Sequence, residues 1–187
     1  MSQDVRKEAT YADILALPPN QVGQIVFGVL YAHPRPAPKH ARASSRLGRR
    51  LGPSFDDEDG TPGGWIIVDE PELHLDRHVL APDLAGWRRS TMPELPVDKA
   101  HFELAPDWVC EVLSPSTASI DRGDKLRVYA SHGISHVWLV DPEAQTLEVL
   151  ERDDRGYRIH EVYSGEAHIR AIPFDAIELP LGTLWAR

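Results

Sequence analysis

Short apolar runs separated by polar turn residues recur along this chain, a pattern that predicts β-strands rather than long helices. The apolar runs are rich in β-branched and aromatic residues and are bounded by Gly, Pro, Asp or Ser. Residues 146–151 and 157–163 enclose Asp153-Asp154-Arg155-Gly156, so we expect a hairpin there. The predicted strands are 24–32, 65–69, 72–75, 79–86, 107–113, 136–140, 146–151, 157–163 and 168–172.

Three segments have helical spacing instead. Thr10 is a candidate N-cap for the first, which Pro18-Pro19 stops. Ser119 or Asp121 can cap the third, and Gly133 closes it. This order predicts an α/β fold in which helices flank a mixed central sheet and antiparallel hairpins extend it. The predicted helices are 10–17, 39–51 and 121–131, and residues 174–185 are expected to form a terminal loop with one helical turn.

The length of the chain fits one domain. Its 187 residues can bury an adequate core, so we interpret 1–187 as a single domain. Residues 1–9 have the composition of a polar N-terminal arm, and residues 53–64 that of a mobile acidic and glycine-containing loop. That loop lacks the ordered ligand spacing of a calcium loop.

Composition excludes several classes of protein. The net charge of −9 argues against a general nucleic-acid coat, although it permits a locally basic channel. The chain has a single cysteine, Cys110, which excludes an internal disulfide and a Cys-rich zinc site. We expect Cys110 to be a small buried apolar residue. No apolar run approaches the ~20 residues of a membrane span, and the N-terminus lacks a signal peptide's apolar segment. We therefore expect a cytoplasmic protein without a membrane partner.

The second predicted helix has a basic face. Its cations lie on one side at helical spacing, and no acid occurs between Ala32 and Phe55. Two interpretations stay open: a solvated helix surface, or a surface that contacts nucleic-acid phosphates. His40, within this run, is expected at the surface. The candidate phosphate contacts are Lys39, Arg42, Arg46 and Arg49.

The strand 107–113 carries an acid into the interior. Alternation places Trp108, Cys110 and Val112 on one face, and Glu111 on the other between apolar Val109 and Leu113. A carboxylate buried there is costly unless it is paired, protonated or bound to a cation.

Two further charged residues lie where they can meet Glu111. Asp83 is expected in the middle of a strand between apolar neighbours, and Lys125 lies on the helix that follows the strand of Glu111. Two carboxylates can hold Mg²⁺ and leave positions for water and a phosphate oxygen, while a lysine positions the water. The backbone carbonyl of Val112 is a candidate further ligand.

These motifs resemble the Uma-two family of endonucleases, within the PD-(D/E)XK superfamily of restriction-endonuclease-like folds. The resemblance rests on Pro82-Asp83, on the run from Pro106 to Thr117, on Asp121 to Lys125 and on the strand ending at Asp141-Pro142. It implies Mg²⁺-dependent DNA cleavage, with Mn²⁺ as a possible substitute. Asp83, Glu111 and Lys125 would be the catalytic residues.

The resemblance also identifies residues around the site. Leu113 occupies the position at which the superfamily has its lysine, and the resemblance assigns that lysine's role to Lys125. Gln24 stands where the family often has a glutamate, so the site has one charge fewer, and Glu72 is the residue that can compensate. Tyr129 flanks the site or packs beside it. The resemblance further suggests a homodimer that pairs through the C-terminal hairpin.

Alternatives without catalysis remain open. Asp83 can cap a turn or pair with Arg88 or Arg89, and Glu111 with Lys125 can form a structural ion pair. The whole chain can be a binding module that kept the fold and lost the chemistry. A hydrolase of another phosphoester is a further, catalytic alternative. Ser114 and Ser116 are interpreted as turn caps, and a zinc site from His74 and His78 is disfavoured.

Overall fold

The computed structural model describes residues 8–185, which form four α-helices, twelve strands and one 3₁₀ turn. The helices are α1 (Tyr11–Leu15), α2 (Pro38–Phe55), α3 (Ala118–Asp121) and α4 (Asp124–Ser131), with a 3₁₀ turn at Leu181–Thr183. The strands are β1 (Gln21–Val26), β2 (Val29–Pro34), β3 (Trp65–Asp69), β4 (Leu73–Leu75), β5 (His78–Leu80), β6 (Leu84–Arg88), β7 (Trp108–Val112), β8 (His136–Asp141), β9 (Thr146–Asp153), β10 (Gly156–Ser164), β11 (His168–Ile169) and β12 (Leu179–Pro180).

A six-stranded mixed sheet forms the centre of the fold, in the order β10-β9-β8-β7-β6-β3. Only β7 and β8 run parallel within it, joined by a crossover through α3 and α4, and the other neighbours are antiparallel. A second sheet has the order β2-β1-β5-β4 and is antiparallel throughout. The predicted mixed sheet with antiparallel hairpins is confirmed.

The central sheet separates two hydrophobic cores. On one face, Leu47 and Leu51 of α2 pack with the tryptophans of β7 and β8 and with Phe174. On the other face, Val109 and Leu113 pack with Val128 and Tyr129 of α4 and with side chains of β4 and β5. The predicted alternation along β7 is therefore confirmed, and Glu111 faces the second core.

The segment 24–32, predicted as one strand, is a hairpin. Strands β1 and β2 pair antiparallel around Phe27 and Gly28, whose φ angles are 49° and 74°. Positive φ at both central positions is what a tight hairpin turn of the primed type needs. The prediction was wrong because phenylalanine is an unusual residue at such a position, and its apolar side chain extended the strand pattern.

The segment 79–86, also predicted as one strand, belongs to two sheets. Strand β5 ends at Leu80 and β6 begins at Leu84, with Ala81-Pro82-Asp83 between them. Pro82 has no N–H to donate to a ladder, so the strand breaks there. Asp83 accordingly precedes β6 and does not lie mid-strand.

Other boundaries differ by a few residues. Helix α2 runs to Phe55, so the first residues of the predicted loop 53–64 are helical, and the helix predicted at 121–131 is divided into α3 and α4 at Arg122-Gly123. The strand predicted at 168–172 ends at Ile169. Of the predicted arm, residues 1–7 lie outside the described residues. No helix within residues 8–185 is long and apolar enough to cross a bilayer.

Candidate active site

The pairing of β6 with β7 brings two acids together. Leu84 lies opposite Cys110 in this antiparallel ladder, so the register continued by one residue sets Asp83 opposite Glu111. Asp83 Oδ2 accepts the backbone N–H of Val112 at 2.7 Å. The sharp break at Pro82 thus fixes the Asp83 carboxylate at the end of β7, where Glu111 projects.

Lys125 joins these acids from the first turn of α4. Its Nζ lies 2.6 Å from Glu111 Oε1 and 3.0 Å from Asp121 Oδ1. The hydroxyl of Tyr129, one turn further along α4, also donates to Glu111 Oε1. Glu111, Asp121 and Lys125 are at most 3% exposed. Three charged groups and a phenol therefore form one buried network.

His40 is a further member that the sequence analysis placed at the surface. Its Nε2 lies 3.3 Å from Asp83 Oδ1, and its side chain is 12% exposed. Burial lowers the pKa of His40, but its hydrogen bond to Asp83 and the charge of Asp83 raise it more strongly. His40 Nδ1 is buried and has no hydrogen-bond partner within residues 8–185.

Acidic groups outnumber basic groups in this network. Glu111 and Asp121 both contact the ammonium of Lys125, and this attraction outweighs burial and raises the pKa of Lys125, while Asp83 contacts His40. Burial raises the pKa of Glu111 to about 8, opposed by Lys125 and reinforced by Asp121 and Asp83. A cation beside Glu111 would relieve this repulsion, and the carboxylate oxygens are donors that suit Mg²⁺.

The network opens into a cavity of about 610 Å³. Both the Lys125 and the Tyr129 contacts use Oε1 of Glu111, which leaves Oε2 for another ligand. The residues that line the cavity include His40, Asp83, Glu111, Asp121 and Lys125. The site therefore combines buried acids with access from solvent.

Gln24 and Glu72, the predicted peripheral residues, also line the cavity. Gln24 is 2% exposed; its Oε1 accepts the N–H of Ala81 at 3.1 Å, and its Nε2 lies 3.2 Å from His33 Nε2. Glu72 instead contacts a histidine, with Oε1 2.7 Å from His74 Nε2. Neither residue contacts the Lys125 network directly.

The cations of α2 face away from the cavity. Arg42 and Arg46 line a separate depression that includes Glu166 and His168, and Lys39 pairs with Glu143 at 3.0 Å. Arg49 is exposed on the same outer side of the helix. Their role as nucleic-acid contacts stays a prediction, and the basic groups that line the cavity itself are Lys125, Arg35 and the two histidines His33 and His40.

The structure bears on three of the alternatives raised from the sequence. Arg88 stacks on the ring of Trp65 at 4.5 Å, and Arg89 lies 4.0 Å from Asp56, so neither pairs with Asp83. His74 and His78 cannot share a zinc ion: the β4–β5 register points them to opposite faces, and His78 accepts the N–H of Phe27. Ser114 lies 3.0 Å from both Ser116 Oγ and Thr117 Oγ1, consistent with a turn role.

The sequence analysis did not assign Asp121 and His40 to this network, and only Asp121 has a spacing in the sequence that indicates its contact. Asp121 was interpreted as a helix cap, although its spacing of four residues from Lys125 is the spacing of a helical ion pair. His40 gave no such signal. Its burial depends on α2 packing against the central sheet, a long-range contact that local pattern does not reveal.

The mixed sheet, with its acids and lysine at the β6–β7 junction, has the architecture of the restriction-endonuclease-like class. The model of the Uma2 family, described as "Putative restriction endonuclease", matches residues 11–182, so the chain belongs to this family. The resemblance identified from the sequence motifs is confirmed.

A solved structure has the same fold. It is described as "a putative nuclease belonging to DUF820 from Anabaena variabilis ATCC 29413", and it is 22% identical to this chain. The TM-score is 0.76, and the alignment covers 95% of this chain and 97% of the other. No curated protein matches the sequence.

Proposed function

We propose that this chain is a Mg²⁺-dependent endonuclease that hydrolyses DNA phosphodiester bonds. The observation that carries the proposal is the convergence of three acids, Asp83, Glu111 and Asp121, on one solvent-accessible cavity. A purely structural ion pair needs one acid for Lys125, whereas two acids contact this lysine and a third lies opposite Glu111. Membership of the Uma2 family supports the same class of reaction.

Asp83 and Glu111 would hold the metal ion, and the carbonyl oxygen of Val112 is a third candidate ligand. A Mg²⁺ ion held there would supply Lewis acidity toward a phosphate oxygen and would lower the pKa of a water molecule. Lys125 keeps its proton and orients the attacking water or neutralises charge that develops on the phosphate. Asp121 and Tyr129 position Lys125 and Glu111, respectively.

Supercoiled plasmid provides the direct test. With Mg²⁺ or Mn²⁺, the wild-type chain should nick it, and Asp83→Asn should lose the activity because one metal ligand becomes neutral. Asp124→Asn is the matched control, since Asp124 lies on α4 next to Lys125, has a side chain that is 40% exposed and pairs with Arg127 at 3.3 Å. Equal nicking by the wild-type chain and Asp83→Asn would contradict the proposal.

A second candidate is a nuclease-fold binding module without catalysis. The feature that favours it is Gln24, which is neutral and whose Oε1 already accepts the N–H of Ala81. This candidate predicts that the chain binds DNA in the presence of Mg²⁺ but leaves it intact. DNA retardation without nicking, unchanged in Lys125→Met, would support it over the nuclease.

A further inference from the structure

Glu72, His74 and His101 converge at the edge of the second sheet. In β4, Leu73 points into the core, so Glu72 and His74 both point outward. A parallel bridge joins Leu73 to Phe102, with His74 N–H donating to Phe102 O and Phe102 N–H donating to Glu72 O, both at 2.8 Å. The bridge sets His101 beside the outward face of β4.

The three side chains offer ligand atoms at close range. One carboxylate oxygen of Glu72 and one ring nitrogen each of His74 and His101 all lie within 4.8 Å of one another. Within residues 8–185, this is the one group of three or more such side chains. The imidazole rings stack with their centroids 3.9 Å apart. The side chains are 21–32% exposed, so an ion can reach them from solvent.

The donor set distinguishes this cluster from the active site. Two imidazoles and one carboxylate suit Zn²⁺ and its neighbours Co²⁺ and Ni²⁺, whereas the all-oxygen set of Asp83 and Glu111 suits Mg²⁺. A tetrahedral zinc ion holds its ligand atoms about 3.4 Å apart, given bond lengths of about 2.0–2.2 Å. The stacked rings lie in nearly parallel planes, 16° apart, so one imidazole must turn out of the stack for both ring nitrogens to face the same ion.

Outer contacts of the kind that orient metal ligands are present. The hydroxyl of Tyr11 donates to Glu72 Oε1 at 2.8 Å, and Glu103 Oε1 lies 3.4 Å from His101 Nε2. Such partners fix the orientation of a metal-bound carboxylate or imidazole. They also link the cluster to α1 through Tyr11.

We propose that Glu72, His74 and His101 form a Zn²⁺-binding site, with water in the remaining position. The ion would replace the hydrogen bond between Glu72 and His74. It would also link α1, β4 and the loop 89–107. Because Glu72 also lines the active-site cavity, the ion would stabilise one wall of that cavity. The inference rests on this cluster alone and holds whether or not the chain cleaves DNA.

Co²⁺ titration of the metal-stripped full chain tests the proposal. The wild-type chain should develop the visible absorption bands of tetrahedral Co²⁺, and added Zn²⁺ should abolish them. His74→Ala and His101→Ala should each lose the bands, and circular dichroism checks that both variants fold. His101→Gln provides a milder replacement with the same expected loss. Glu103→Gln should weaken binding by about 10–100-fold, as expected for an outer-contact residue.

Two controls locate the ion. His168→Ala should keep the bands, since His168 is an exposed histidine that pairs with Glu178 at 2.7 Å without a second imidazole nearby. The double variant Asp83→Asn with Glu111→Gln should keep them too. Absence of bands in the wild-type chain, an equal loss in His168→Ala, or loss in the double acid variant would each overturn the proposal.

Discussion

The two faces of β7 bury side chains of different kinds. Trp108 and Cys110 on one face pack in an apolar core, where the ring of Trp108 lies edge-on to Trp138 and Phe174 with centroids 5.3 and 4.9 Å away. On the other face, Glu111 is equally buried but contacts Lys125 and Tyr129. One strand thus carries both a stabilising core and a charged group whose burial costs free energy. The proposed chemistry accounts for this difference.

The largest effect is expected from Lys125→Met, which removes the ammonium and leaves the acids. Removal of one partner from a buried ion pair typically costs about 3–5 kcal/mol because the remaining charge is unpaired. The variant should lose that much free energy of unfolding and all nicking activity. Urea denaturation and the plasmid assay measure the two effects. Unchanged stability would mean that Lys125 does not pair with Glu111.

Phe174→Ala tests the apolar face. Phe174 is buried against Trp65, Trp108 and Trp138, and replacement of a core aromatic by alanine costs about 3–5 kcal/mol. The loss should be the same with and without Mg²⁺, and the folded fraction should keep its specific activity. A Mg²⁺-dependent loss of stability would show that the two faces are coupled.

The pH dependence of stability should come from the charged face. The pKa of Glu111 is raised from 4.5 to about 8, so between these values the folded chain holds a proton that the unfolded chain has released. The contribution of Glu111 to stability is therefore greatest below the lower value and falls as pH rises toward 8, by at most about 1.4 kcal/mol per pH unit in the metal-free chain. Glu111→Gln should flatten the profile, measured by urea denaturation in chelator. A slope that persists in this variant would assign the proton elsewhere.

The smallest effect on Mg²⁺ binding and nicking is expected from Gln24→Glu. It adds a carboxylate to the cavity wall at the position where the family often has one. Mg²⁺ affinity should rise severalfold, measured by calorimetry, and nicking should rise with it. Gln24→Leu, which adds no charge, is the control. An equal affinity in both variants would exclude this position from the metal site.

The sequence predicted the charged residues of β7 and α4 better than it predicted their surroundings. Alternation placed Glu111 on its face, and the motifs identified Lys125 and Asp83, because these signals are local. The break at Pro82, the turn at Phe27-Gly28 and the burial of His40 depend on pairing between distant segments. The cluster of Glu72 with His101 likewise depends on the Leu73–Phe102 bridge, which no periodicity indicates.

The central claim is that Asp83 and Glu111 share one divalent cation. A crystal of the full chain soaked in Mn²⁺ and measured at the manganese absorption edge tests it most directly. The account predicts an anomalous peak between the two carboxylates, with Lys125 still in contact with Asp121. Saturating Mn²⁺ with no peak there, and with the Lys125–Glu111 contact unchanged, would contradict it.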